Sequence, residues 1–284
     1  MSKIISVANQ KGGVGKTTTA INLAACLALS GQKVLIIDID PQGNASSGLG
    51  VNLRENQKGI YELLAGNASL DQVIYPTEID TLKIIPSNVD LAGAEIELVG
   101  RDHREKILSM ALNGVNAEYE FIVIDCPPSL GLLTLNALTV SQSVLIPMQC
   151  EYYALQGLSH LLKTLQRIKK SINPNLKVEG ILLTMYDNRT LLTSQVENQV
   201  KKYFSEFLMK TIIPRNIRLS EAPSHGKPIV LYANRSKGSD SYVELAQEVI
   251  QQTKGEMVSP KTEPQEITYE EWIKENQLRD FLKK

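Results

Sequence analysis

The sequence predicts an α/β fold: a doubly wound, mostly parallel sheet flanked by helices, in a single domain with a C-terminal tail. Three observations predict it. Short apolar runs alternate with longer stretches of helical pattern, which is the signature of βαβ units. Most of those runs are apolar almost without interruption, as strands covered by helices on both faces must be. The chain also has 284 residues, 43% of them hydrophobic and 21% charged, enough to bury one large core.

The first strand is read at residues 4–8, followed by a glycine-rich loop and a helix over 17–29. Strands follow at 34–38 and 82–86, then a helix over 103–112. Two more strands, at 121–125 and 143–147, precede a helix over 153–171. A strand at 178–184, a helix over 194–207 and a short strand at 211–213 complete the pattern. Crossovers of this kind are right-handed and put ligand sites at the carboxyl ends of the strands. No internal repeat occurs. Residues 1–253 read as one domain. The stretch 254–268, KGEMVSPKTEPQEIT, is polar with two prolines and reads as a linker. Residues 269–284 read as a short helical tail that packs back on the body or frays.

Lys plus Arg total 30 against 31 for Asp plus Glu, a net charge of −1. Any nucleic-acid contact must therefore come from a local basic face. Cys26, Cys126 and Cys150 form no CxxC pair, so neither a zinc site nor a disulfide framework follows, and each reads as a small buried hydrophobe. No window approaches the roughly 18 apolar residues of a membrane span, and the N-terminal residues lack a signal-type apolar core. A cytoplasmic protein is expected.

The most informative stretch, NQKGGVGKTTTA, lies between the first strand and the first helix. A phosphate needs inward-pointing backbone N–H groups with no Cβ in the way. Gly12, Gly13 and Gly15 meet that need around Val14, and the helix N-terminus adds its positive dipole end. Lys16 can reach β- and γ-phosphates, the Thr17 hydroxyl can ligate Mg²⁺, and Thr18 follows in the first turn. The ordinary pattern GxxxxGK[ST] would place glycine at position 10, where this chain has Gln10, and a second lysine, Lys11, opens the loop instead.

With that departure, KGGVGKT resembles the deviant Walker A motif of the ParA/MinD ATPases, a branch of the P-loop NTPases. The resemblance implies a ParA-type ATPase domain over 1–253 that uses ATP and Mg²⁺, with Lys11 reaching a partner subunit's phosphates across a dimer interface. It implies further that Asp40, in LIIDIDPQGN, orients or activates the attacking water and that Asp38 supports the metal. For either acid, a turn or cap role is the alternative. FIVIDCPPSLG matches Walker B, with Asp125 holding Mg²⁺ through water. Along IIPRNIRLSEAP, relatives lay the chain against the adenine, which makes Pro214 and Asn216 the candidates there. No guanine-reading NKxD motif occurs, which favours ATP over GTP.

Across roughly 1–252 the chain is similar to the chromosomal ParA/Soj group, in DPQGNASSGLG, LAGAEIEL, DCPPSLGLLTLNAL, QCEYYALQGLS and TIIPRNIRLSEAPSHGKPI. The first strand begins near residue 3, which disfavours the long forms with an N-terminal DNA-binding extension. The group's mechanism implies an ATP-dependent sandwich homodimer on non-specific double-stranded DNA, hence nucleoid association. A ParB-like (Spo0J-like) centromere-binding protein stimulates hydrolysis. Arg189 and Arg218 match the DNA-contacting positions, and Lys227, Arg235 and Lys237 extend the patch. A MinD-like membrane-cycling ATPase is the alternative. Its terminal helix is basic and amphipathic, whereas residues 266–284 here hold five acidic and four basic residues, so a membrane role is not expected. An iron-protein relative would need two cluster cysteines near the switch, and Cys126 stands there alone. A non-enzymatic DNA regulator would have no use for Lys11, Lys16, Asp40 and Asp125 at one site.

Overall fold

The structure, a computed structural model, describes residues 2–115 and 118–256. Residues 1–250 form one compact unit, and residues 251–256 of the second unit continue a helix. That helix carries three residues into the stretch read as a linker. The rest of the linker and the tail at 269–284 lie outside the described residues.

Six strands fall close to where the apolar runs put them: β1 (Lys3–Val7), β2 (Val34–Asp38), β4 (Leu82–Ile85), β5 (Phe121–Asp125), β6 (Ser143–Gln149) and β7 (Lys177–Thr184). One more, β3 (Tyr75–Pro76), lies at one side and pairs with β4. Among the described residues they make one sheet in the order β3-β4-β2-β5-β1-β6-β7, parallel throughout except for β3. Every residue of β1, β2 and β5 is buried. These three strands form the middle of the sheet, and no face of theirs meets water.

The helix after the glycine loop, α1 (Lys16–Leu29), is almost wholly buried against β1, β2 and β5. The last helix, α11 (Lys237–Glu256), packs Tyr242, Leu245, Ala246 and Val249 into the same core, and the Tyr242 and Thr19 hydroxyls meet at 3.2 Å. After β6, α7 (Ala154–Ser171) turns Leu158, Leu161, Leu165 and Ile168 inward at helical spacing. After β7, α8 (Leu191–Phe204) starts three residues earlier than its periodicity suggests. The reason is local: the Thr190 side chain accepts the Thr193 N–H at 3.3 Å and caps the helix there.

Two expectations are corrected. Residues 211–213 are not a strand. The backbone N–H groups of Lys210 and Thr211 donate to the Glu248 carboxylate on α11, at 2.8 and 3.0 Å, instead of entering a ladder. The chain around it meets β7 and the residues just past it at single points: isolated bridges pair Ile181 with Leu208 and Tyr186 with Pro214, and the Ile213 N–H donates to the Leu183 carbonyl at 2.9 Å. The helix expected over 103–112 is a 3₁₀ turn, Arg104–Lys106, followed by α5 (Ile107–Ala111). His103 has φ +52°, which no right-handed helix accommodates.

Candidate functional site

The carboxyl ends of β1, β2 and β5 meet where α1 begins. Asn9, just past β1, pins the loop to the sheet: its amide donates to the Pro147 carbonyl on β6 at 2.7 Å, and its oxygen accepts the Lys11 N–H at 3.0 Å. Gly13 and Gly15 then take φ of +73° and +86°, a left-handed conformation in which a side chain would be strained. At Gly12 and Gly13 an added Cβ would meet nothing within 4 Å, so the loop is open on its outer side. Gly15 caps α1 without any side-chain bond, which leaves the first-turn N–H groups of a 14-residue helix for an anion.

Lys16 is only 7% exposed, and its Nζ donates to the Lys11 carbonyl at 3.0 Å, across the mouth of the loop. Burial lowers its pKa, while the carboxylates of Asp125 and Asp40 oppose that shift. Thr17 and Thr18 stand half-buried in the first turn beside it. Asp38 and Asp125 end β2 and β5 as register partners, and Val7 on β1 is in register with Asp125 from the other side.

The two acids differ in what holds them. Asp38 accepts the Ser46 N–H at 2.8 Å and the Ser46 hydroxyl at 2.7 Å on one oxygen, and the Asp40 N–H at 3.2 Å on the other. It therefore ties down the start of α2 (Asn44–Gly48). Burial nevertheless pushes its pKa up to about 6. Asp125 is fully buried, and neither carboxylate oxygen makes a hydrogen bond of good geometry among the described residues, although the Thr17 hydroxyl is near enough to oppose the rise in its pKa. Burial, then the charge of Asp38, raises its pKa well above the carboxylate range. A carboxylate kept this deep without a partner is costly unless a cation or water completes it. That orphan fits magnesium. Among the described residues no three His, Cys, Asp or Glu side chains are grouped to hold a metal, and magnesium with phosphates and water needs few protein ligands. Asp40 is 6% exposed and accepts the Gln42 N–H at 3.0 Å, which fixes one oxygen beside Lys16.

Lys11 lies at the rim, half-exposed, with its ammonium ion-paired to Glu151 just after β6. Pro214 bridges Tyr186 beside β7, and Asn216 spends its side-chain oxygen on the Arg218 N–H at 2.8 Å, capping α9 (Ile217–Glu221). The two arginines are on the surface, and each is paired with a near neighbour: Arg189 with Asp187 at 2.6 Å and Arg218 with Glu221 at 2.8 Å. Lys227 is held by Glu78 at 3.0 Å. Sequence reasoning did not single out Ser46, Glu151 or Thr184. The Thr184 hydroxyl donates to the Val14 carbonyl at 2.8 Å and so braces the loop from β7. Ser46 and Glu151 fall inside quoted motifs, but only the fold reveals which partner each one serves. All three cysteines are free and buried, as expected. Among the described residues no helix is long and apolar enough to cross a membrane.

A sequence model of the AAA domain matches residues 2–178. The sporulation initiation inhibitor protein Soj of Bacillus subtilis is 57% identical over 249 residues, 88% of this chain and 98% of that protein. The chromosome partitioning protein ParA of Myxococcus xanthus is 54% identical over 250 residues, 88% of each. Among solved structures, cobyrinic acid a,c-diamide synthase of Mycobacterium smegmatis, with a bound ATP analogue and magnesium, superposes with a TM-score of 0.79 at 34% identity, over 94% of this chain and all of that one. The glycine loop with its two lysines, the acids at the ends of β2 and β5, and these relatives agree: the chain belongs to the ParA/Soj family of chromosome-partitioning P-loop ATPases.

Proposed function

We propose that this chain is an ATP-hydrolysing partitioning protein whose ATP-bound sandwich dimer binds double-stranded DNA without base readout and is released after hydrolysis. A ParB-like, centromere-binding partner stimulates that hydrolysis. The observation that carries the reading is the buried set of Lys16, Asp40 and Asp125 at the mouth of an open glycine loop. Family membership supports the partitioning role.

In this reading the backbone of Gly12, Gly13, Val14 and Gly15 and the first turn of α1 through Thr18 cradle the phosphates. Lys16 neutralises charge on the β- and γ-phosphates, in a site dry enough for that charge to count. Thr17 and, through water, Asp125 would hold magnesium, which supplies positive charge to the transferring phosphoryl group. Asp40 positions the attacking water and accepts its proton. Asp38 acts behind it, through the bonds that fix Ser46 and the Asp40 backbone. Pro214 and Asn216 flank the adenine. Lys11 leaves Glu151 to meet the partner subunit's phosphates, where two nucleotides bring more negative charge than one subunit's cations can balance. Arg189 and Arg218 meet DNA phosphates, which position but carry no sequence information.

ATPase rates with and without non-specific DNA and an N-terminal peptide of a candidate ParB test the reading. A slow basal rate that rises when both are present is expected. No turnover under any condition would refute it. Co-sedimentation with liposomes in the presence of ATP, expected to be absent, separates it from MinD-like cycling.

A further inference from the structure

The end of β7 does two jobs at once. Thr184, 2% exposed, donates its hydroxyl to the Val14 carbonyl, and Thr184 and Met185 side-chain atoms lie where a Cβ on Gly15 would touch them at 3.9 Å. The next residue, Met185, has φ +49°, one of three non-glycine residues with positive φ among those described. Methionine gains nothing there by itself, and such strain persists only where the surroundings impose it. The reversal breaks the strand. It leaves Thr184 facing the phosphate loop and returns Tyr186 to the neighbouring segment, with its N–H donating to the Ile213 carbonyl at 3.0 Å and its carbonyl accepting the Arg215 N–H at 3.1 Å. Tyr186 also donates its hydroxyl to Glu197 on α8. One residue on, Asp187 accepts the Arg189 N–H at 3.1 Å and its guanidinium at 2.8 and 2.6 Å. An unbroken run of contacts thus joins the phosphate loop to Arg189, and through Tyr186 to the segment that carries Arg218.

We propose that Thr184 and Met185 form the joint through which an occupied phosphate loop sets the position of Arg189, with Thr184 as a positioning residue rather than a catalytic one. This rests on the DNA-binding reading above. A ligand changes a distant affinity only if some element has two arrangements that both sites bias, and a residue held in a strained conformation between the two sites is suited to be that element.

The test uses the full chain and a random-sequence DNA duplex. Affinity is measured with ATP and with ADP for wild type, Thr184→Val, Thr184→Ser and Met185→Gly, beside ATP affinity, dimer mass and melting temperature. At saturating ATP, Thr184→Val should lose about tenfold of the gain in DNA affinity that ATP confers, the size of an ordinary coupling, and this loss should exceed any change in its ATP affinity. Thr184→Ser keeps the hydroxyl and should restore the gain. Met185→Gly, which relaxes the positive φ, should lose it as well, and this variant decides the matter if Thr184→Val does not fold. Unchanged ATP-dependence of DNA binding in these variants overturns the joint while leaving the DNA reading intact. Loss of ATP affinity in step with DNA affinity overturns it too, because Thr184 would then serve the loop alone. Wild-type protein that ignores DNA in both nucleotide states removes the DNA reading and the joint with it.

Discussion

Lys16 is a cation kept out of water by its own loop, and its nearest charges are carboxylates that the fold also buries. No other cation of the loop is placed to take over: Lys11 sits at the rim and is engaged by Glu151. Lys16→Ala should therefore abolish nucleotide binding in calorimetry, and near-normal ATP affinity would refute the phosphate-site assignment. Asp40→Ala removes a group that matters when water attacks and little before. It should bind ATP, accumulate as a dimer on gel filtration and hydrolyse at a small fraction of the normal rate. The buried acids also set a pH dependence. Asp38 titrates near 6 and Asp125 is raised as well, so the folded chain keeps protons that the unfolded chain has already lost. More protons bound in the folded state means that stability falls with rising pH. In the nucleotide-free protein the contribution of these two acids is fully present below the ordinary carboxylate value and is lost as pH climbs through about 6. Asp125→Asn deletes the orphaned charge. It should raise Tm by roughly 2–6 °C at neutral pH and flatten this profile, at the cost of magnesium-dependent nucleotide affinity. A lower Tm would show that the carboxylate is compensated in the free protein.

Among elements, the contact to examine is the one between the loop after α2 and the turn after α9. Gly50 and Gly226 have φ of +73° and +63°, and a Cβ on Gly226 would lie 2.9 Å from the Gly50 Cα. Backbone on both sides leaves nothing flexible to yield. Gly226→Ala should cost about 2 kcal/mol or more and lower Tm by about 4–8 °C. A wild-type melting curve would mean that the two turns part without cost. This contact also marks the limit of what periodicity can reveal. β2 and β5 were legible to the residue because continuous apolar runs ending in aspartate have no other economical reading. β3 was not, since two residues carry no period. Residues 211–213 look like a strand in composition, but Glu248, 37 positions from Thr211, takes the N–H groups of Lys210 and Thr211 where a ladder would begin. At the site, the glycine loop, Lys16 and Asp125 were readable because phosphate chemistry dictates local spacing. The Asp38–Ser46 bond and the pairing of Lys11 with Glu151, 140 residues away, depend on which strands become neighbours.

At the scale of the whole molecule, a net charge of −1 gives no general attraction to nucleic acid, so the proposed DNA contact must come from a few exposed cations. Arg189 and Arg218 are each presented twice in a dimer, and each phosphate contact contributes about one unit to the slope of log affinity against log salt. Arg189→Glu or Arg218→Glu should lower that slope by about two in the Asp40→Ala background, with the dimer intact on gel filtration and DNA sequence immaterial. Charge-reversed dimers with an unchanged slope would place the basic surface elsewhere. The borders of the sheet bear on how copies of the chain can meet at all. On one side β3 is two residues long and ends in Pro76, which has no N–H to offer. On the other, the outer groups of the second half of β7 are engaged: Ile181 exchanges hydrogen bonds with Phe207 and Met209, and the Leu183 carbonyl accepts from Ile213. Among the described residues neither margin offers a long free ladder for a neighbour's strand to extend. If the proposed DNA binding crowds copies together, open margins would risk growth into ribbons by sheet addition. Margins blocked in this way remove sheet addition as a route from crowding to ribbons.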